Sequence, residues 1–173
     1  TQMEKVSIDL YFPRGRSVVD PLFDGNLTTL NRLDSLLYNL PRDGQYTITV
    51  TGYTSPEGAY FDNLALGKNR AQELRRYIRL RYPFIQDVIV CDWIGEDWDK
   101  LYGMISSERM AYWQQMLYII DNVGIFDGRE KKLMDLAGGW PYKQLLANQF
   151  PDLRRVEAVI RYQSAQGEAA IAE

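Results

Sequence analysis

The chain has 173 residues, enough for one domain with a core of its own or one domain carrying a sizeable insertion. Hydrophobic residues make up 46% and charged ones 25%, and 20 basic against 23 acidic side chains leave a net charge of −3, so no global field favours nucleic acid or an anionic membrane and any anion site must be local. Histidine is absent and Cys91 is the one cysteine, which removes Ser-His-Asp and Cys-His catalysis, His-ligated zinc, an internal disulfide and a Cys-rich metal site.

Residues 6–12 alternate Val6, Ile8, Leu10 and Phe12 against Ser7, Asp9 and Tyr11, the pattern of a half-buried strand. Pro13, Gly15, Asp20-Pro21 and Gly25-Asn26 then mark a loop. Leu27, Leu30, Leu33, Leu36-Leu37 and Leu40 follow at helical spacing, and Pro41-Arg42-Asp43-Gly44 carries the turn chemistry that ends a helix. A second strand over 46–53 sets Tyr46, Ile48 and Val50 against three threonines. The loop Thr54-Ser55-Pro56-Glu57-Gly58 leads into a long helix over about 60–82, whose stripe is Leu66, Ala71, Leu74, Tyr77 and Ile78 and which Pro83 stops. Residues 88–93 read as a third strand, and Cys91, inside the apolar run Val88-Ile89-Val90-Cys91, reads as a buried small hydrophobe.

The pattern changes after residue 95. Short helical segments are expected over 98–106, 110–120, 129–136 and 142–150, punctuated by Gly124, Gly128, Gly138-Gly139 and Pro141. Residues 155–163 alternate Val156, Ala158, Ile160 and Tyr162 and can complete the sheet, while 164–173 reads as a small, polar tail. The order is β-α-β-α-β, a helical insertion over 96–150, then β. It implies an α/β sandwich (α+β) with a mixed sheet of about four strands and the long helices on one face, all within a single domain over 1–173. No stretch approaches the ~18 apolar residues of a membrane span, and residues 1–20 lack the basic-then-apolar order of a signal peptide.

The informative segment runs from Gly52 through the 54–58 loop into Asn63-Leu64-Ala65-Leu66-Gly67-Lys68-Asn69-Arg70-Ala71 and on to Ile78. Physically it is a strand end, a tight Pro/Gly loop and a helix opening, where free backbone N–H groups and the helix dipole favour an anion. Arg70, near the start of that helix, could add a forked donor set matched to a carboxylate. The bland alternative for Arg70 is a structural ion pair with Asp62 or Glu73.

This segment resembles the OmpA-like family, whose signature is a glycine-containing strand end, a loop, then N-x-x-L-S-x-x-R-A-x-x-V-x-x-x-L. Asn63, Leu66, Arg70, Ala71, Leu74 and Ile78 fall at matching spacing, with Gly67 in the serine position and Leu74 for valine. The strand at Ile8–Phe12 and the run Arg154-Arg155-Val156-Glu157-Ala158-Val159-Ile160 are similar to the family's first and closing strands. The resemblance covers about 6–93 and 153–163. It implies a non-catalytic periplasmic module, part of or attached to an outer-membrane protein, that holds the diaminopimelate end of a peptidoglycan stem peptide. On that resemblance Arg70, Thr54, Ser55, Glu57 and Asn63 form the ligand site, without metal or cofactor. One departure stands out: the family's loop aspartate corresponds to Ser55, which offers no charge to an ammonium group, leaving Glu57 as the candidate replacement. The S-P-E-G loop and tryptophan-rich insertion are also similar to a fimbria-associated subfamily. The alternative is therefore an envelope assembly or adhesion module that binds a protein partner through the insertion.

Other constellations have plainer readings. Lys68, Arg75, Arg76, Arg79 and Arg81 fall around several helix faces without an aromatic platform for nucleic acid. Asp92 to Asp99 brings four carboxylates and two indoles together, but not at calcium-loop spacing. Glu96 and Asp97 are expected to cap the next helix, and Trp93 and Trp98 to staple the insertion to the sheet. Gly138-Gly139-Trp140-Pro141-Tyr142 lacks the Gly-Lys-Ser/Thr ending of a phosphate loop and reads as a helix-helix turn. Tyr112, Trp113, Trp140 and Tyr142 read as the core of a small helical layer, or, if exposed together, as a partner surface.

Overall fold

The structure, a computed structural model, describes residues 3–41 and 45–163 apart from the side chains of residues 86–88. The turn expected at Arg42-Asp43-Gly44 and the tail over 164–173 lie outside the described residues. Strand β1 (Met3–Tyr11) leads to helix α1 (Asn26–Tyr38), strand β2 (Tyr46–Thr54), helix α2 (Tyr60–Arg81) and strand β3 (Ile89–Glu96). Helices α3 (Trp98–Glu108), α4 (Trp113–Asn122), α5 (Arg129–Asp135) and α6 (Trp140–Gln144) follow, and α6 runs on as a wider turn over Leu145–Gln149 before β4 (Arg155–Gln163).

The four strands form one mixed sheet in the order β1-β4-β2-β3. β4 lies antiparallel to both β1 and β2, and β2 is parallel to β3. The register sets Leu10 opposite Val156, Ile8 opposite Ala158 and Ile48 opposite Ile160, so the period-2 apolar positions share one face. On that face Leu30, Leu33 and Leu37 of α1 and Ala71, Leu74 and Ile78 of α2 bury their stripes against the sheet. The expected mixed sheet with both long helices on one face is the one observed. Leu27, expected in the α1 stripe, is exposed because it falls in the first turn, short of the sheet's cover. Cys91 is half-buried rather than buried, since β3 is an edge strand and α2 covers it only in part.

The segment between β3 and β4 builds a second core from Trp98, Leu101 and Ile105 of α3, Met116 and Ile120 of α4, Leu133, Tyr142, Leu145, Phe150 and Leu153. Helix α4 begins at Trp113, later than residue 110, because Tyr112 takes a left-handed conformation just before it. Of the four aromatics read as core, Tyr142 is buried and Trp113 half-buried, whereas Tyr112 and Trp140 are exposed.

Candidate functional site

Three glycines set how closely α2 approaches the sheet. A Cβ on Gly52 would fall 1.7 Å from the Gly67 carbonyl oxygen, and one on Gly67 would fall 3.2 Å from Gly95 Cα. Gly95 has φ +75°, which a side chain would strain, and its Cβ would press on the Leu64 backbone. Gly52 is therefore a steric requirement, and Gly67, in the motif's serine position, leaves room for the approach: helix backbone lies directly on strand backbone here. One turn later, that close approach carries Arg70 under the loop.

Arg70 is 0% exposed. Its Nε donates to the Arg16 carbonyl (2.9 Å), Nη1 to the Tyr53 carbonyl (2.8 Å) and Nη2 to the Pro13 carbonyl (3.4 Å), with the guanidinium 5.1 Å from the Phe12 ring centroid. The ion pair with Asp62 or Glu73 is not formed; Glu73 pairs instead with Arg76. Among the described residues, no carboxylate lies within ion-pair distance of Arg70. Burial, and then the neighbouring Arg154 charge, push its guanidinium down to about 9. The result is a buried cation held rigidly by three carbonyls and lacking a counter-ion.

Arg70, Thr54, Ser55, Glu57 and Asn63 line one cavity of about 100 Å³ together with Arg14, Gly15, Leu66 and Arg154. An open groove of about 450 Å³ adjoins it along Gly58, Ala59, Asp62 and Asn69, sharing Gly15, Glu57, Asn63 and Leu66. The Thr54 hydroxyl is buried and has no hydrogen-bond partner. Asn63 acts differently from a ligand contact: its amide donates to the Glu57 carbonyl (3.0 Å) and to the Glu96 carboxylate (2.8 Å), fixing the loop over the helix start. Glu96 does not cap α3. It is still a strand residue, paired with Thr54, and its buried carboxylate also accepts from Trp98 Nε1 at 3.0 Å. Burial raises Glu96 above the usual carboxylate range, with the Asn63 and Trp98 hydrogen bonds opposing.

Asp97 is the cap: its Oδ1 accepts from the Lys100 N–H (3.1 Å), its Oδ2 from Arg155 Nη1 (2.7 Å), and its own N–H donates to the Thr54 carbonyl (3.1 Å). Trp93, half-buried on β3, faces α2, with Lys68 5.1 Å from its ring centroid. A further tie comes from Glu130 of α5, whose Oε1 accepts both the Gly58 N–H (3.2 Å) and the Tyr142 hydroxyl (3.0 Å). One of the loop N–H groups expected to face an anion is thus held by α5.

Arg14 and Arg154 were not among the expected site residues. Ser55 Oγ donates to Glu57 Oε1 at 2.9 Å and accepts from Arg154 Nε at 3.2 Å, and Arg154 Nη2 closes on the same Glu57 oxygen. Arg14 Nε stands 2.7 Å from Glu57 Oε2. That contact is a charge pair with a poorly directed N–H, since Oε2 has no aligned donor. The lining groups therefore carry three guanidiniums against one carboxylate. A doublet of adjacent arginines at the start of β4 was visible in the sequence, but nothing local tied it to this loop. Among the described residues no cluster of three or more Cys, Asp or Glu side chains could hold a metal, and no helix is long and apolar enough to cross a membrane.

No family model and no curated protein matches the chain. Among solved structures it is similar to a peptidoglycan-associated lipoprotein from Burkholderia pseudomallei, at 25% identity and TM-score 0.42 over 51% of this chain and 70% of that one. It is similar to the OmpA-like domain of FopA1 from Francisella tularensis, at 14% identity and TM-score 0.46 over 95% and 78% of the two chains. It is also similar to a MotB-like protein from Desulfovibrio vulgaris, at 16% identity and TM-score 0.48 over 94% and 76%. The mixed four-stranded sheet with its two long helices on one face is the architecture that the resemblance to the OmpA-like family implied.

Proposed function

We propose that this chain is a non-catalytic, periplasmic cell-envelope module that attaches to peptidoglycan by seating a stem-peptide carboxylate, of the kind diaminopimelate carries, against Arg70. One observation carries the reading: a fully buried guanidinium lines a cavity without a counter-ion of its own. A buried charge left uncompensated costs several kcal/mol, and a carboxylate entering the cavity would relieve that cost. Three of the five Arg70 N–H groups hold backbone carbonyls, leaving two for a guest beside the unpartnered Thr54 hydroxyl. The open groove past Asn63 and Asn69 gives the rest of a peptide a path away from the cavity.

Calorimetric titration with a diaminopimelate-containing muropeptide tests this. The wild type should bind saturably and Arg70→Ala should not. Because Arg70→Ala strands three carbonyls, Thr54→Val is the cleaner variant: it deletes an unpaired buried hydroxyl at nearly constant shape. It should fold at least as stably as the wild type yet bind about five- to tenfold more weakly. A folded wild type that binds no muropeptide at millimolar concentration sinks the proposal.

A second reading rests on a different surface. Phe61 (70% exposed) and Phe126 (69% exposed) stack with centroids 5.9 Å apart, and Tyr60 meets both edge-on. This patch, where α2 meets the helical segment, suits a protein partner of an envelope or fimbrial assembly.

A further inference from the structure

Resting on that carboxylate reading, we infer that Arg14 and Arg154 have taken Glu57 out of use, so that the pocket selects carboxylate ends whose neighbouring amine is acylated over those with a free ammonium group. An amino-acid end that bears both charges needs an acid as well as a base in its site. Glu57 is the one carboxylate lining this cavity. Its Oε1 is held by Ser55 Oγ and Arg154, and Oε2 faces Arg14 at 2.7 Å.

The two arginines differ in how firmly they sit. Arg154 is largely buried, with its side chain 12% exposed, and it bonds both Ser55 and Glu57; it keeps the Oε1 side of the acid occupied. Arg14 is 73% exposed and poorly directed, a cation set against the Glu57 oxygen that a guest ammonium would otherwise use. With Arg70 the cavity keeps an excess of two positive charges. A free ammonium group entering it meets like charge, while an amide nitrogen at the same place does not. The serine at position 55 belongs to the same arrangement: its hydroxyl bridges Arg154 and Glu57, which an aspartate could not do without adding charge.

The test uses one muropeptide in two forms, with the distal diaminopimelate amine free or acetylated, titrated into wild type and Arg14→Gln. The wild type should bind the acetylated form about tenfold more tightly. Arg14→Gln, exposed and expected to fold normally, should narrow that preference several-fold by returning Glu57 Oε2 to the ligand. Equal or tighter binding of the free-amine form by the wild type overturns the inference, as does a preference that Arg14→Gln leaves unmoved. In both of those cases carboxylate binding itself survives. Failure of both forms to bind overturns the carboxylate reading as well.

Discussion

A guanidinium is ordinarily charged at any accessible pH, and Arg70 departs from that because burial and Arg154 push it down to about 9. An anion can be held only by the charged form. Affinity for a muropeptide carboxylate should therefore be level from pH 7 to about 8.5, then fall about tenfold per pH unit above 9 as the proton is lost. The unliganded fold should behave oppositely. Above 9 the native state has released a proton that the unfolded chain still holds, so the Arg70 contribution to stability rises with pH rather than falling. Titrations at several pH values check this, and an affinity unchanged through pH 10 would refute it. The sequence exposed Arg70 because its spacing from Asn63 and Leu66 is local. It could not expose the lack of a counter-ion, which depends on where Asp62 and Glu73 point. Nor could it show that Arg154 meets Glu57, since 97 positions separate them and only the antiparallel pairing of β4 with β2 closes that distance.

At the scale of elements, the strands and long helices were legible because their periods are strong and their ends carry Pro and Gly. The boundary between β3 and α3 was not. Two acidic residues in succession both suit a helix cap, and the β3 register decides between them by carrying Glu96 into the sheet and leaving Asp97 at the turn. Asp97 then does two jobs, capping α3 and pairing with Arg155 of β4, both side chains being 6% exposed. Asp97→Ala should cost about 3 kcal/mol, since it strands a buried guanidinium as well as an N-terminus. In an Arg155→Met background the same change should cost nearer 1 kcal/mol, the cap alone. Urea denaturation of the four proteins measures the difference; strictly additive costs would show that the pair does not join α3 to the sheet. Asp9, 3.5 Å from Arg155 Nε, and the Tyr53 ring at 4.1 Å limit the loss without replacing the 2.7 Å contact.

For the molecule as a whole, the described residues contain two separate apolar clusters: eighteen buried side chains between the sheet and its helices, and ten within the helical segment. The smaller cluster lies among short helices joined by left-handed residues at Arg109, Tyr112 and Ala137, conformations that side chains other than glycine adopt at a cost. Native-state hydrogen exchange in low urea should accordingly show α3 to α6 opening at a lower free energy than β2 and β4. Identical opening energies for the two regions would mean that they unfold as one. The sequence marked this segment as different through its loss of period-2 runs, but its packing was less legible. Helices of five to eleven residues leave little periodicity from which to tell an inward aromatic such as Tyr142 from an outward one such as Trp140.

The oxygen of Glu130 shared by the Gly58 N–H and the Tyr142 hydroxyl has a consequence for both surfaces. One acceptor serves a loop that borders the cavity and a side chain in the core of the helical segment, so the strength of each bond depends on the other. Thermodynamic linkage then runs in both directions. A partner docked on the helical segment that shifts α5 changes the affinity of the cavity by some factor. A guest in the cavity changes the affinity for that partner by the same factor, and Glu130→Ala should bring the factor closer to one, leaving the share carried by Asp97 through Thr54 and Arg155.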